Sequence, residues 1–243
     1  MSQVTSTSTR GSRTLGLAAA AGLGWLVVMG LFVSPRDQLQ KDWVRFLYLH
    51  VGSVIWAYVA FGVTALCSAL YLWRRTRSMT WDRIAGVSAE IGVLLIGITL
   101  VTGALWGKGT WGVYWTWDAR LTTTALLAVL FCGYLALRSV DGDPHVRARR
   151  SAIAGLIAFV DVPIVNKAVD WWRTLHQDRT ISPADTKMDD LMLFTMFVGI
   201  AAFGLFYAWL LLHRWRVALL EEAIERRSLD DAIAERVREG ALQ

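Results

Sequence analysis

Fifteen residues, Trp106-Gly107-Lys108-Gly109-Thr110-Trp111-Gly112-Val113-Tyr114-Trp115-Thr116-Trp117-Asp118-Ala119-Arg120, concentrate four tryptophans, a tyrosine, three glycines, two bases and one acid. Indole and phenol rings offer broad flat faces, and Gly107, Gly109 and Gly112 let the backbone approach whatever lies on them. Such a segment suits a large planar ligand with an anionic rim. Two histidines elsewhere, His50 and His176, carry imidazoles, the side chains best suited to hold a metal at neutral pH. Plainer readings exist for each. Tryptophans gather at membrane interfaces, Asp118 suits a helix cap, Arg120 could snorkel, and a lone histidine at a helix end is an ordinary sight. The density of rings and the glycine punctuation favour a ligand platform over anchoring alone.

The elements that must position these residues follow from composition. Of 243 residues 55% are hydrophobic and only 19% charged, with mean hydropathy +0.41, which calls for membrane spans before a soluble core. Apolar runs cover Leu15–Val33, His50–Trp73, Ile84–Leu105, Leu121–Leu137, Ser151–Val169 and Leu191–Leu212. Each is near the ~20 residues that cross the hydrocarbon core, and each must satisfy its own backbone, so all six are expected as helices. The first run is glycine-interrupted and lacks a clear A-x-A cleavage site, which favours a retained span over a signal peptide. The expected fold is therefore all-α, a polytopic membrane helical bundle of six transmembrane helices with an outward-facing tryptophan-rich loop. Its parts are a disordered Ser/Thr-rich tail over 1–14, a membrane domain over 15–212 and a cytoplasmic amphipathic helical tail over 213–243. In that tail Ser228 and Asp231 read as a capping pair opening a second short helix.

Alternate loops fix the orientation. One set holds Arg10, Arg13, Arg74, Arg75, Arg77, Arg83, Arg138, Arg147, Arg149, Arg150, Arg214, Arg216 and the tail; the other holds Arg36, Lys41, Arg45, Lys108, Arg120, Arg173, Arg179 and Lys187. The excess, roughly two to one, places both termini in the cytoplasm. The net charge of +5 thus marks a membrane face and gives no reason to expect nucleic acid. His50, the tryptophan segment and His176 then all face outward. Two imidazoles on one side of a membrane beside an aromatic platform fit the axial positions of a haem iron, and Arg45, Lys108, Arg120 and Arg173 are outward bases that could pair with its propionates.

Other features say less. Cys67 and Cys132 lie inside apolar runs and read as small buried hydrophobes; with no C-x-x-C-H the chain is not itself a c-type cytochrome. Glu90 and Asp161 are acids within spans, where charge is expensive, and Pro163 should kink the fifth helix beside Asp161.

Tyr48-Leu49-His50-Val51, the run from Trp106 through Thr122, and Asp170-Trp171-Trp172-Arg173-Thr174-Leu175-His176-Gln177 resemble the haem exporter protein C family of the cytochrome c maturation system I, within the haem-handling superfamily named for its tryptophan-rich WWD domain. One departure is visible: Tyr114-Trp115 stands where the family usually has two adjacent tryptophans, which keeps an aromatic face and adds a hydroxyl. The resemblance implies a six-helix inner-membrane protein that binds haem b at the periplasmic face, with His50 and His176 ligating the iron. Trp106, Trp111, Tyr114, Trp115, Trp117 and Asp118 would belong to the segment that holds the macrocycle. It further implies delivery to a periplasmic haem chaperone, the E protein, within an ABC-type complex of ATPase A, permease-like B, this chain and a small D protein. The implied chain is not an enzyme. Competing readings are a permease moving haem between the six helices and a lyase attaching haem directly to apocytochrome. No Walker motif occurs, so an ATPase must be a separate chain.

Overall fold

The computed structural model describes residues 7–176 and 188–241. Arg179, Lys187 and Gln177 lie outside the described residues. All regular structure among the described residues is helical: α1 Arg10–Val28, α2 Phe46–Leu72, α3 Met79–Trp111, α4 Ala119–Arg138, α5 Pro144–Phe159, α6 Asp161–Trp171 and α7 Asp190–Ala241. A π-helical turn, Met29–Val33, ends α1, and a 3₁₀ turn, Asp42–Arg45, precedes α2. Six segments are long and apolar enough to cross a membrane, with α5 and α6 together forming one of them, so the chain is a multi-pass membrane protein.

Several boundaries depart from the periodicity reading, each for a local reason. α1 starts at Arg10, inside the stretch expected as tail, because Thr9 and Ser12 cap each other reciprocally. Arg216 of α7 also donates to the Thr7 carbonyl and to Thr9 Oγ1, both at 3.1 Å, which fastens that end to the bundle. α3 runs on through Trp106–Trp111 and stops at Gly112, whose φ of 79° is the left-handed conformation that closes helices. Most of the expected loop is therefore helix, and only 112–118 is irregular. The fifth span breaks at Val160, where Pro163 cannot donate to the Phe159 carbonyl. α7 continues unbroken across Ser228, which opens no second helix; no proline or glycine interrupts 205–239.

α2 and α3 form the central pair, packed through small residues such as Ala57, Ala60, Ala89 and Gly92. α1 and α7 cover one side of the pair, and α4 to α6 cover the other. The end remote from the tryptophans is closed. Phe61 of α2 stacks on Phe131 of α4 with ring centroids 3.7 Å apart, and Arg138 grips Asp82 through two hydrogen bonds of 2.5 and 3.0 Å. Glu90 is not a bare charge, since Arg214 of α7 donates to both its oxygens at 2.7 and 3.1 Å. Towards the tryptophan end the arrangement loosens. α2 packs along α5, whereas α6, beyond the break, packs on α4. Asp161 lies at that break, buried, with its Oδ2 unpaired among the described residues.

Candidate functional site

The loosened end holds a cleft of about 270 Å³, open on one side, walled by α2, α3 and the start of α4. His50, His176, Trp106, Trp111, Tyr114, Trp115 and Arg120 all border it. Residues far apart in the chain are thus gathered around one space.

His50 sits one turn into α2 with its ring pinned against α3. Its Nδ1 lies 3.1 Å from the Thr99 carbonyl and 3.3 Å from Thr102 Oγ1. A carbonyl can only accept, and the Thr102 hydroxyl already donates to the Ile98 carbonyl at 2.8 Å. Both neighbours therefore require a proton on Nδ1, which leaves Nε2 as the lone-pair nitrogen. Gly103 makes room for the ring: a Cβ there would lie 3.0 Å from His50 Cε1. Trp106 meets the imidazole edge to face at 5.8 Å.

His176 arrives from the segment after α6. Its ring stands 6.2 Å from Trp111, and its backbone N–H donates to Thr174 Oγ1 at 2.8 Å. Asp118 is what ties this segment to the cleft. One of its oxygens accepts from Leu121 N–H at 2.8 Å and caps α4; the other accepts from Leu175 N–H at 3.2 Å. Asp118 does not border the cleft; its carboxylate joins the start of α4 to Leu175, the residue before His176.

The other expected site residues divide. Trp117 is 83% exposed and reaches only the edge of Trp115, with centroids 5.6 Å apart, so it stands outside the cleft. Of the four outward bases Arg120 alone borders the space. Arg45 pairs with Asp42 at 3.1 Å and donates to the Gly30 carbonyl at 3.0 Å; Lys108 donates to the Gly112 carbonyl at 2.9 Å and lies over the Tyr114 ring; Arg173 is exposed. Sequence reasoning missed Gln40, Tyr58, Thr99 and Thr124, which also line the space. Thr99 and Gly103 share a helix face four residues apart, a signal that only the His50 contact makes meaningful. Gln40 carried no such signal.

Trp115 Nε1 and Thr116 Oγ1 are buried without a partner among the described residues. Those residues also contain no group of three or more His, Cys, Asp and Glu side chains placed to hold a metal ion. Two imidazoles in an aromatic cleft suit a metal that brings its remaining ligands with it.

Comparison with known proteins agrees with this architecture. The family model described as Heme exporter protein C matches residues 2–230. Among similar proteins, the Heme exporter protein C of Haemophilus influenzae is 36% identical over 205 residues, covering 84% of this chain and 82% of that protein. The one from Bradyrhizobium diazoefficiens is 34% identical over 227 residues, covering 91% and 83%. That of Escherichia coli K12 is 33% identical over 217 residues, covering 89% and 86%. With a match across nearly its whole length, this chain belongs to the heme exporter protein C family.

Proposed function

We propose that this chain binds haem b as cargo at the periplasmic face of the bacterial inner membrane and presents it to a periplasmic haem chaperone during c-type cytochrome maturation. The observation that carries the reading is the pair of histidines on one aromatic cleft, one of them with its tautomer fixed so that Nε2 is free to bind iron. His50 and His176 would take the two axial positions, and the porphyrin supplies the other four nitrogens itself. Trp106, Trp111, Tyr114 and Trp115 provide apolar faces for the macrocycle, and Arg120 is the base within reach of a propionate. Family membership supports a place beside an ATPase, a permease-like subunit and a small membrane subunit.

Passage of haem through the bundle is the weaker reading. The lining of the cleft reaches Tyr58 and Thr124, above the buried Phe61–Phe131 stack and the Arg138–Asp82 pair.

The test is the absorption and EPR spectrum of the purified chain loaded with haem. A low-spin, two-imidazole signal is expected, lost or converted to high spin in His50→Ala and in His176→Ala. A double histidine variant with an unchanged signal refutes the assignment.

A further inference from the structure

The turn before α2 is built with a care that the cleft's ligands alone do not explain. Asp37 Oδ1 accepts from Leu39 N–H at 2.8 Å and Gln40 N–H at 2.7 Å, and the backbones of Asp37 and Lys41 bond to each other in both directions at 3.3 and 3.1 Å. Lys41 holds φ 55°, ψ −133°, a conformation that residues with a side chain rarely adopt. Trp43 then lays its ring on Gly109, where any Cβ would collide with it, and stacks with Phe46 at 6.0 Å. The turn is thereby fixed against the last turns of α3.

What it delivers is Gln40. The Gln40 side chain reaches the cleft, and its Oε1 accepts from Trp106 Nε1 at 2.7 Å, across 66 positions of sequence. Trp106 is 9% exposed and has its ring against His50. The hydrogen bond fixes the rotation of the indole, and the indole edge limits the rotation of the imidazole about the axis set by Thr99 and Thr102. We propose that Gln40 is a positioning residue for the haem ligand His50, acting through Trp106, with the Asp37–Lys41 turn as its mount. This rests on the reading that His50 binds the iron.

The angle between the planes of two axial imidazoles governs the highest g value of a low-spin ferric haem, so rotation of one ring gives the proposal a spectroscopic signature that general destabilisation lacks. The full-length chain in detergent is loaded with haem, and two quantities are read: the EPR g values and the rate of haem loss to apomyoglobin. Gln40→Met keeps the length and removes the acceptor. It should retain the two-imidazole absorption spectrum, shift or split the highest g value, and speed haem loss about tenfold, as expected for one lost buried hydrogen bond. Gln40→Glu keeps an acceptor and should stay within about twofold of wild type. Trp106→Phe removes the donor and part of the ring face as well, so its effect should be at least that of Gln40→Met, and adding Gln40→Met to it should change nothing further, because the bond that variant deletes is already gone.

Unshifted g values in Gln40→Met, or additive effects in the double variant, would overturn the proposal. If Gln40→Met does not accumulate, Asp37→Ala serves in its place: it dismantles the mount, and it must shift the highest g value and add nothing to Trp106→Phe, or the proposal fails. A wild type without a two-imidazole signal sinks the proposal together with the site reading. A normal wild type with an indifferent Gln40→Met sinks the proposal alone.

Discussion

Gly103→Ala should be among the most damaging single-methyl additions the cleft can receive. The added Cβ would lie 3.0 Å from His50 Cε1 and 3.3 Å from Nδ1. Carbon atoms settle at roughly 3.5–4.0 Å, so the overlap is about half an ångström or more. The ring cannot simply retreat, because the Thr99 carbonyl holds Nδ1 and Trp106 occupies the adjoining face. Overpacking of this kind costs about 1–3 kcal/mol, and displacement of Nε2 carries that cost into binding, so haem affinity should fall roughly tenfold to hundredfold. Gly97, on the same helix, is the control, since nothing lies within 4 Å of the Cβ it would carry. The assay is titration of the detergent-solubilised protein with haem, following the Soret band for wild type, Gly103→Ala and Gly97→Ala. If the two alanine variants bind alike, the claim that α3 sets the position of His50 is wrong.

Three further expectations concern charge. Arg120→Gln should weaken haem binding about tenfold while leaving binding of the dimethyl ester, which lacks the carboxylates, nearly unchanged; Arg173→Gln should distinguish neither ligand. Asp82→Asn strands Arg138, whose partner is only 6% exposed, so the thermal midpoint should drop by the equivalent of about 3–5 kcal/mol, while the spectrum of surviving protein stays that of wild type. At Asp143, outside the spans, the backbone N–H groups of Val146 and His145 hold the carboxyl below the ordinary aspartate range. Its cap therefore acts fully above that range and fades as pH falls through the lowered value, and Asp143→Asn should flatten that acidic limb of the midpoint–pH profile.

The apolar runs were enough to find six helices, because an unpaired backbone is not tolerated in hydrocarbon and length alone then identifies a span. The ends of those helices were not legible. The end of α3 is set by Gly112 taking the left-handed conformation, which Gly107 and Gly109 could equally have offered, and α7 runs on through Ser228 with no proline or glycine to stop it. In the site the rings and the two histidines stood out by type. Their roles could not be divided from sequence: Asp118 looks like part of the platform until Leu175 is seen bonded to it, and Arg45 looks like a propionate partner until Asp42 and Gly30 take up its donors. Gln40 was invisible because its significance is entirely a contact made 66 residues away.

A cleft let into a membrane-spanning bundle is a liability, because it thins the layer that insulates the two sides. From His50 to Tyr58 the cleft descends eight residues of helix, about 12 Å of the ~30 Å insulating layer. Below that depth the paired rings of Phe61 and Phe131, both fully buried, fill the space between α2 and α4. Enlarging the cavity downward, as Phe131→Ala would, removes that plug and should show first as a leak of protons through vesicles carrying the variant.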